Sequence, residues 1–217
     1  MSLTGLFPII IYDTILDPPE CVRQHMIEYV DSFYENKKEF YNPPNIIGDY
    51  HGETNISSHR EFFWLNEQLS FHIKKYLEGI SVNHNDLSIF VQKSWPVICL
   101  KNDGQVYKHF HKNSSISAVF YLQLDESDCG GNLIFYPPSN YTHSLIPVSY
   151  ELKDFYYSTH KPITNQLIIF PSSLEHEVTK YIGNIKRYSI SFDITLVTNN
   201  LYHNENHITN PNFWTKI

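Results

Sequence analysis

Apolar and polar residues change their period near residue 88 of the 217-residue chain. Before that point they recur at helical spacing, and after it they alternate with a period of two. Residues 7–12 form a short apolar run, read as a strand. Asp17-Pro18-Pro19-Glu20 has helix-start chemistry, with aspartate as cap and prolines early. Val22, Met26, Tyr29, Val30 and Phe33 then follow at helical intervals to about residue 38. A loop rich in Asn, Pro and Gly covers 42–56. A second amphipathic helix is expected over 59–79, with Phe62, Leu65, Leu69, Ile73 and Leu77 on or near one face.

The period-two region divides into expected strands at 88–100, 105–111, 115–124, 132–136, 153–158, 166–170, 174–181 and 185–197. Turn signals separate them, among them Asn102-Asp103-Gly104, Cys129-Gly130-Gly131 and Ile182-Gly183-Asn184. A run of short strands with no helix between them indicates a sandwich or a jelly roll. The reading is therefore one mainly β domain over 1–217. Within it, 1–87 is a helical support region, 88–199 the β core, and 200–217 a polar, Asn-rich tail.

Composition narrows the class of protein. Aromatics make up 15% of residues and hydrophobics 41%, which marks an ordered chain whose aromatics suit half-buried strands. The net charge of −7 and the lack of a basic run argue against a dedicated nucleic-acid surface. Cys21, Cys99 and Cys129 have no metal-type spacing and read as reduced thiols. No stretch approaches the roughly 20 apolar residues of a membrane span. The opening residues show no basic region followed by an apolar run, so no signal peptide is expected. A cytoplasmic location is expected, in the host cytoplasm if the chain is phage-encoded.

Three features carry chemistry. His109 and His111 are two apart, so on a strand both imidazoles share a face, with Tyr107 beside them. His176 opens a late strand after the Phe170-Pro171 turn, where a jelly roll can bring it next to an early H-x-H pair. Three imidazoles meeting at a point suit iron, zinc or copper. Arg187, one of three arginines, lies on a strand face with Ser189 and Ser191, opposite an apolar face of Tyr188, Ile190 and Phe192. Buried there, its planar fork suits a carboxylate held bidentately, with a hydroxyl hydrogen bond from Ser189. The alternative is an ordinary pairing with a protein carboxylate.

Taken in order, Tyr107, His109, His111, Tyr121-Leu122, Gly130-Gly131, Phe170-Pro171, His176-Glu177-Val178 and Arg187-Tyr188-Ser189-Ile190 resemble the non-haem iron, 2-oxoglutarate-dependent dioxygenases. The nearest match is a family of 2-oxoglutarate/Fe(II) oxygenases of marine bacteria and cyanophages, with prolyl hydroxylases as better-known relatives. The likeness runs across about 95–193, and Leu6-Phe7-Pro8 extends it toward the start. It implies a double-stranded β-helix (jelly roll), Fe(II), 2-oxoglutarate as co-substrate, and ascorbate as an optional accessory. Carried over by position, His109 and His176 become metal ligands and Arg187 grips the distal carboxylate of 2-oxoglutarate, supported by Ser189 and Tyr121. The primary substrate is open, with a tilt toward a peptidyl or amino-acid hydroxylation.

One position departs from that pattern. The usual set is two histidines and a carboxylate, but His111 stands where the acid belongs. It can be a third ligand, or lie behind the metal while something else fills the position, or mark a fold that has lost its activity. The three-histidine reading is preferred, because His111 holds the right position on the right strand face. Glu175 and Glu177 do not substitute, since alternation turns them away from the face of His176. Two further classes fit: a three-histidine zinc hydrolase or hydratase, which has no use for a buried Arg187, and a non-catalytic jelly-roll binding module.

Overall fold

Alternation along the longest strands decides which side chains meet the helices and which face an interior cavity. The structure, a computed structural model, describes residues 9–38, 46–100, 104–138, 157–198, 208–209 and 214–216. The chain runs through β1 (Tyr12–Ile15), α1 (Glu20–Lys37), β2 (Ile46–Ile47), α2 (Phe63–Gly79), β3 (Leu87–Cys99), β4 (Gly104–His109) and β5 (Ile116–Gln123). It continues through β6 (Leu133–Phe135), β7 (Ser158–His160), β8 (Gln166–Pro171), β9 (His176–Tyr181), β10 (Arg187–Thr198) and β11 (Ile208–Thr209).

The larger sheet has the order β1-β8-β5-β10-β3-β2, with β11 parallel to β10, and the smaller has the order β4-β9-β6-β7. Apart from β11 the pairings are antiparallel. This is the two-sheet arrangement of a jelly roll. In β10, Tyr188, Ile190, Phe192 and Ile194 join Ile98, Phe120, Leu122, Leu167 and Ile169 in one apolar cluster with α1 and α2. Burying that face leaves Arg187, Ser189, Ser191 and Asp193 on the opposite one. That opposite face meets the smaller sheet through two smaller clusters. One joins Tyr121, Ile168 and Phe170 to Leu133 and Phe135, and the other joins Trp95 and Val97 to Tyr181 and Val106.

Several sequence expectations are corrected at the ends of elements. Asp17 does not cap α1; Pro19 holds the cap position without a side-chain hydrogen bond, and its carbonyl accepts from the amides of Val22 and Arg23 at 2.9 and 3.0 Å. The second helix is preceded by a tight turn over Arg60–Phe62. The first described strand is Tyr12–Ile15; of the run expected at 7–12, residues 9–11 precede it and 7–8 lie outside the described residues. The strand pairs with β8, so the segment before residue 88 contributes strands as well as helices. The strand carrying the histidine pair stops at His109; the amide of His111 instead donates to the carbonyl of Ser172 at 2.9 Å. Residues 101–103 and 139–156, including most of the strand expected at 153–158 and also Asp103 and His143, lie outside the described residues, as do His203 and His207. Among the described residues no helix is long and apolar enough to cross a membrane.

The turn at Gly130-Gly131 requires glycine. Both residues have positive φ, +74° and +71°, and a β-carbon on Gly130 would stand 2.0 Å from the carbonyl oxygen of Lys180. Gly130→Ala therefore forces both a left-handed conformation and a backbone shift against β9. We expect it to lower stability by about 2 kcal/mol or more, read as a reduced urea midpoint; a midpoint equal to wild type would show that the turn relaxes freely.

Candidate active site

His109 and His176 are opposite one another in the β4–β9 pairing, so the register of two strands brings them together. His111 reaches the same point from just beyond the end of β4. The three ring centroids are 4.3 Å (His109–His176), 5.1 Å (His109–His111) and 5.3 Å (His111–His176) apart. One ring nitrogen from each falls within 4.8 Å of the others, an arrangement that could hold a metal ion.

Hydrogen bonds select which nitrogen is available. His109 Nδ1 lies 2.7 Å from the carbonyl of Tyr107, and His176 Nδ1 lies 2.8 Å from the carbonyl of Leu174. His111 Nδ1 lies 2.8 Å from Asp193 Oδ1. A carbonyl or carboxylate oxygen accepts, so each Nδ1 carries the proton and each Nε2 keeps its lone pair. Burial lowers the pKa of His109, and it pushes that of His176, only 6% exposed, down to about 3, with the neighbouring His109 adding to the effect. Both rings are thus neutral bases near pH 7, the form a metal requires.

Arg187 enters the same cavity from the first residue of β10 and is 1% exposed. Its Nη1 reaches Ser189 Oγ at 3.3 Å and Cys99 Sγ at 3.9 Å. Among the described residues no carboxylate pairs with it, and its Nε and the hydroxyl of Tyr121 are buried without a hydrogen-bond partner. The guanidinium carbon sits 5.1 Å from the Tyr121 ring centroid. Burial pushes the Tyr121 phenol up to about 12, so it stays a donor. Arg187 Nε, the Tyr121 hydroxyl and the Ser189 hydroxyl form a set of donors that lacks an acceptor. A buried guanidinium without a counter-charge is costly, by several kcal/mol per ion after relaxation, and an anionic ligand removes that cost.

The cavity joining these groups has a volume of about 1150 Å³. Its outer wall includes Trp95 and Lys93, with the ammonium 4.6 Å from the indole centroid, and the Trp95 ring centroid is 5.8 Å from that of His111. Tyr50 and Tyr107, 96% and 65% exposed, stand at its rim.

All six predicted site residues therefore line one space: His109, His111, His176, Arg187, Ser189 and Tyr121. Glu175 pairs with Lys108 at 2.7 Å rather than with the histidines, and His160 bonds Gln166 at 3.1 Å. Sequence reading missed three contributors. Asp193 shares the face of Arg187, Ser189 and Ser191, and the period-two rule that grouped those three also includes it. Trp95 is buried yet lines the cavity, which a strand pattern cannot distinguish from core. Gly131 makes room for the arginine: a β-carbon there would be 3.2 Å from Arg187 Cδ and Nε, and nothing in one sequence signals that.

Two facing sheets enclose the clustered imidazoles and an arginine that meets no carboxylate among the described residues, in the arrangement of a jelly roll. Residues 93–193, most of the β core, match the family model described as putative 2OG-Fe(II) oxygenase. Among solved structures, the chain is similar to a prolyl hydroxylase from Trichoplax adhaerens in complex with a hypoxia-inducible-factor peptide fragment, at 16% identity and TM-score 0.54, over 86% of this chain and 83% of that one. It is also similar to HygX from Streptomyces hygroscopicus with nickel and 2-oxoglutarate bound, at 11% identity and TM-score 0.55, over 86% and 83% of the two chains. An oxidoreductase of the 2OG-Fe(II) oxygenase family from Burkholderia pseudomallei aligns over 50% of this chain and 45% of its own length, at 17% identity and TM-score 0.39. Among curated proteins no sequence matches the chain.

The depressed pKa of His176 has a signed consequence. An unfolded histidine titrates near 6.5 and the folded one near 3, so on acidification the unfolded state takes up the proton first. Stability of the metal-free protein should fall from about pH 6.5 toward pH 3. The His176→Gln variant should show a shallower loss of Tm over that window; parallel slopes would mean that His176 is not held neutral by the fold.

Proposed function

We propose that this protein is a non-haem iron oxygenase that binds one Fe(II) through His109, His111 and His176 and takes 2-oxoglutarate as co-substrate. The observation that carries this reading is the set of free donors around Arg187 in the same cavity as three imidazoles whose Nδ1 atoms are already engaged. Bound iron would supply the redox chemistry, activating dioxygen as 2-oxoglutarate is decarboxylated to succinate and carbon dioxide, with one oxygen atom delivered to the substrate as a hydroxyl group.

The residues of the chain do the binding and the orienting. Arg187 offers its free Nε to the distal carboxylate of the keto-acid. The Ser189 hydroxyl accepts from Arg187 and keeps its own proton to donate. The Tyr121 hydroxyl, protonated and buried, supplies another donor. In a water-excluded pocket such charge-assisted bonds are stronger than at a surface, so the co-substrate is fixed from its far end with its keto-acid end free to reach the imidazoles. The Nδ1 contacts with Tyr107, Leu174 and Asp193 leave Nε2 as the atom of each ring that would hold the metal. A three-histidine zinc hydratase would use the imidazoles equally well, but it leaves the unpaired arginine without a purpose.

A cavity of about 1150 Å³ exceeds the roughly 300–1,000 Å³ of most small-ligand sites, which leaves space for a further molecule beside the keto-acid. A peptidyl or amino-acid side chain is the substrate class proposed. The peptide held by the Trichoplax enzyme is the analogy for it, and the analogy rests on the shared fold alone.

The test is anaerobic titration of the Fe(II)-loaded protein with 2-oxoglutarate, followed by the visible charge-transfer band of a chelated keto-acid. A band is expected. Iron binding without a band would overturn the co-substrate assignment. Arg187→Ala should abolish 2-oxoglutarate binding and leave metal content largely intact, whereas His111→Ala should lower iron affinity sharply. Loss of metal in Arg187→Ala without a selective effect on 2-oxoglutarate would refute the clamp.

A further inference from the structure

The carboxylate absent from position 111 stands one hydrogen bond behind it. Asp193 Oδ1 and Oδ2 lie 2.8 and 3.1 Å from His111 Nδ1, with side-chain exposures of 13% for the aspartate and 15% for the histidine. Among the described residues no lysine or arginine pairs with Asp193. Lys93, its register partner on β3, is committed to Asp49 and to the Trp95 ring instead. What meets the carboxylate, besides His111, is the Ser117 hydroxyl at 3.3 Å. That serine continues into a relay, with the buried Ser172 at 2.9 Å and the part-buried Ser114 a further 2.8 Å on.

The backbone singles out the same place. The β10–β3 register shifts between Asp193 and Ile194, so Asp193 sits at an irregularity of an otherwise continuous pairing. Bulges of this kind re-aim side chains and recur beside active sites. Enclosed carboxylates are usually answered by a cation. Here the partner able to take that part is the imidazole, once its Nε2 is bound to a cation.

We propose that Asp193 is the carboxylate of the metal centre at one remove. It holds His111 with Nε2 forward, and it passes to the metal, through the imidazole, the negative charge that an aspartate at position 111 would give directly. Asp193 is thus a positioning residue, of the kind whose loss typically costs about 10–100-fold in metal affinity. This rests on the three-histidine reading above and goes beyond it, since that reading needs only the imidazoles.

Charge and position separate experimentally, because asparagine keeps an oxygen that can accept from His111 Nδ1 while losing the charge. The full-length protein is titrated with Co(II), recording affinity and the visible absorption spectrum of the bound ion. Asp193→Asn should weaken Co(II) binding about tenfold or more and shift the spectrum, with the Tm of the metal-free protein close to wild type. In a His111→Asp background, where the carboxylate reaches the metal itself, Asp193→Asn should leave affinity unchanged or raise it, by removing a neighbouring like charge.

An Asp193→Asn protein with wild-type affinity and spectrum, beside a His111→Ala protein that loses affinity, would overturn this inference and leave the ligand set standing. An equal loss from Asp193→Asn in both backgrounds would also overturn it, showing a structural role only. Wild-type protein that binds no Co(II), or His111→Ala that binds as wild type does, would overturn the three-histidine reading and this inference together.

Discussion

Arg187 is buried with no carboxylate of the described residues beside it, and much of the inner face is explained by that single cost. A cation in such a place needs an anion, and the protein surrounds it with groups that stay neutral there: a thiol and a phenol whose pKa values burial raises, and a serine hydroxyl. The strand holding it has no freedom to turn it outward. Tyr188, Ile190, Phe192 and Ile194 anchor the other face of β10 against the helices, and a slip by one residue would exchange the two faces entirely. The helices thus act on the chemistry indirectly: they fix the register that keeps Arg187, Ser189, Ser191 and Asp193 inside.

The same reasoning explains how much could be read from the residues in order. Period two over 185–197 separated an apolar from a polar face, and this sufficed to group Arg187 with Ser189. His109 was legible as half of an H-x-H pair and His176 as the histidine opening a strand after the Phe170-Pro171 turn; the β4–β9 pairing puts the two opposite each other. His111 joined the cluster by a different route from the one expected: the strand ends before it, and a backbone bond to Ser172 carries it inward. Alternation grouped His111 with the other two imidazoles through an incomplete physical reason. Asp17 illustrates the opposite failure, a plausible cap two residues too early, because the helix starts after Pro19. Gly131 and Trp95 were not legible as site residues. The glycine acts by what it lacks, and the indole has the pattern of an ordinary core residue until the cavity beside it is known.

Each imidazole is fixed by an oxygen at Nδ1, but the three oxygens differ in kind. Tyr107 and Leu174 each supply the carbonyl two residues before the histidine, so His109 and His176 are held by the backbone immediately preceding them and cannot be re-aimed without moving it. His111 lies past its strand and has no such local partner. Its orientation depends on an interaction 82 positions away in sequence. Of the three rings it is therefore the one whose position is set by tertiary structure alone.

That difference bears on how, in the proposed three-histidine site, a histidine could stand where the pattern that the sequence resembles has an acid. Replacing a carboxylate by a neutral imidazole removes one negative charge from the ligand set, which weakens attraction for a divalent cation and alters the electron density it receives. Another change offsets the first if a carboxylate lies behind the new ligand, because an imidazole hydrogen-bonded to an anion is a stronger base than one bonded to a carbonyl. Asp193 lies there, on the strand that also carries Arg187. Both ends of the proposed site, the metal side and the keto-acid clamp, then draw their charged groups from one face of β10. A single register error in that strand would remove the two charges together, and retaining the strand's apolar face keeps both.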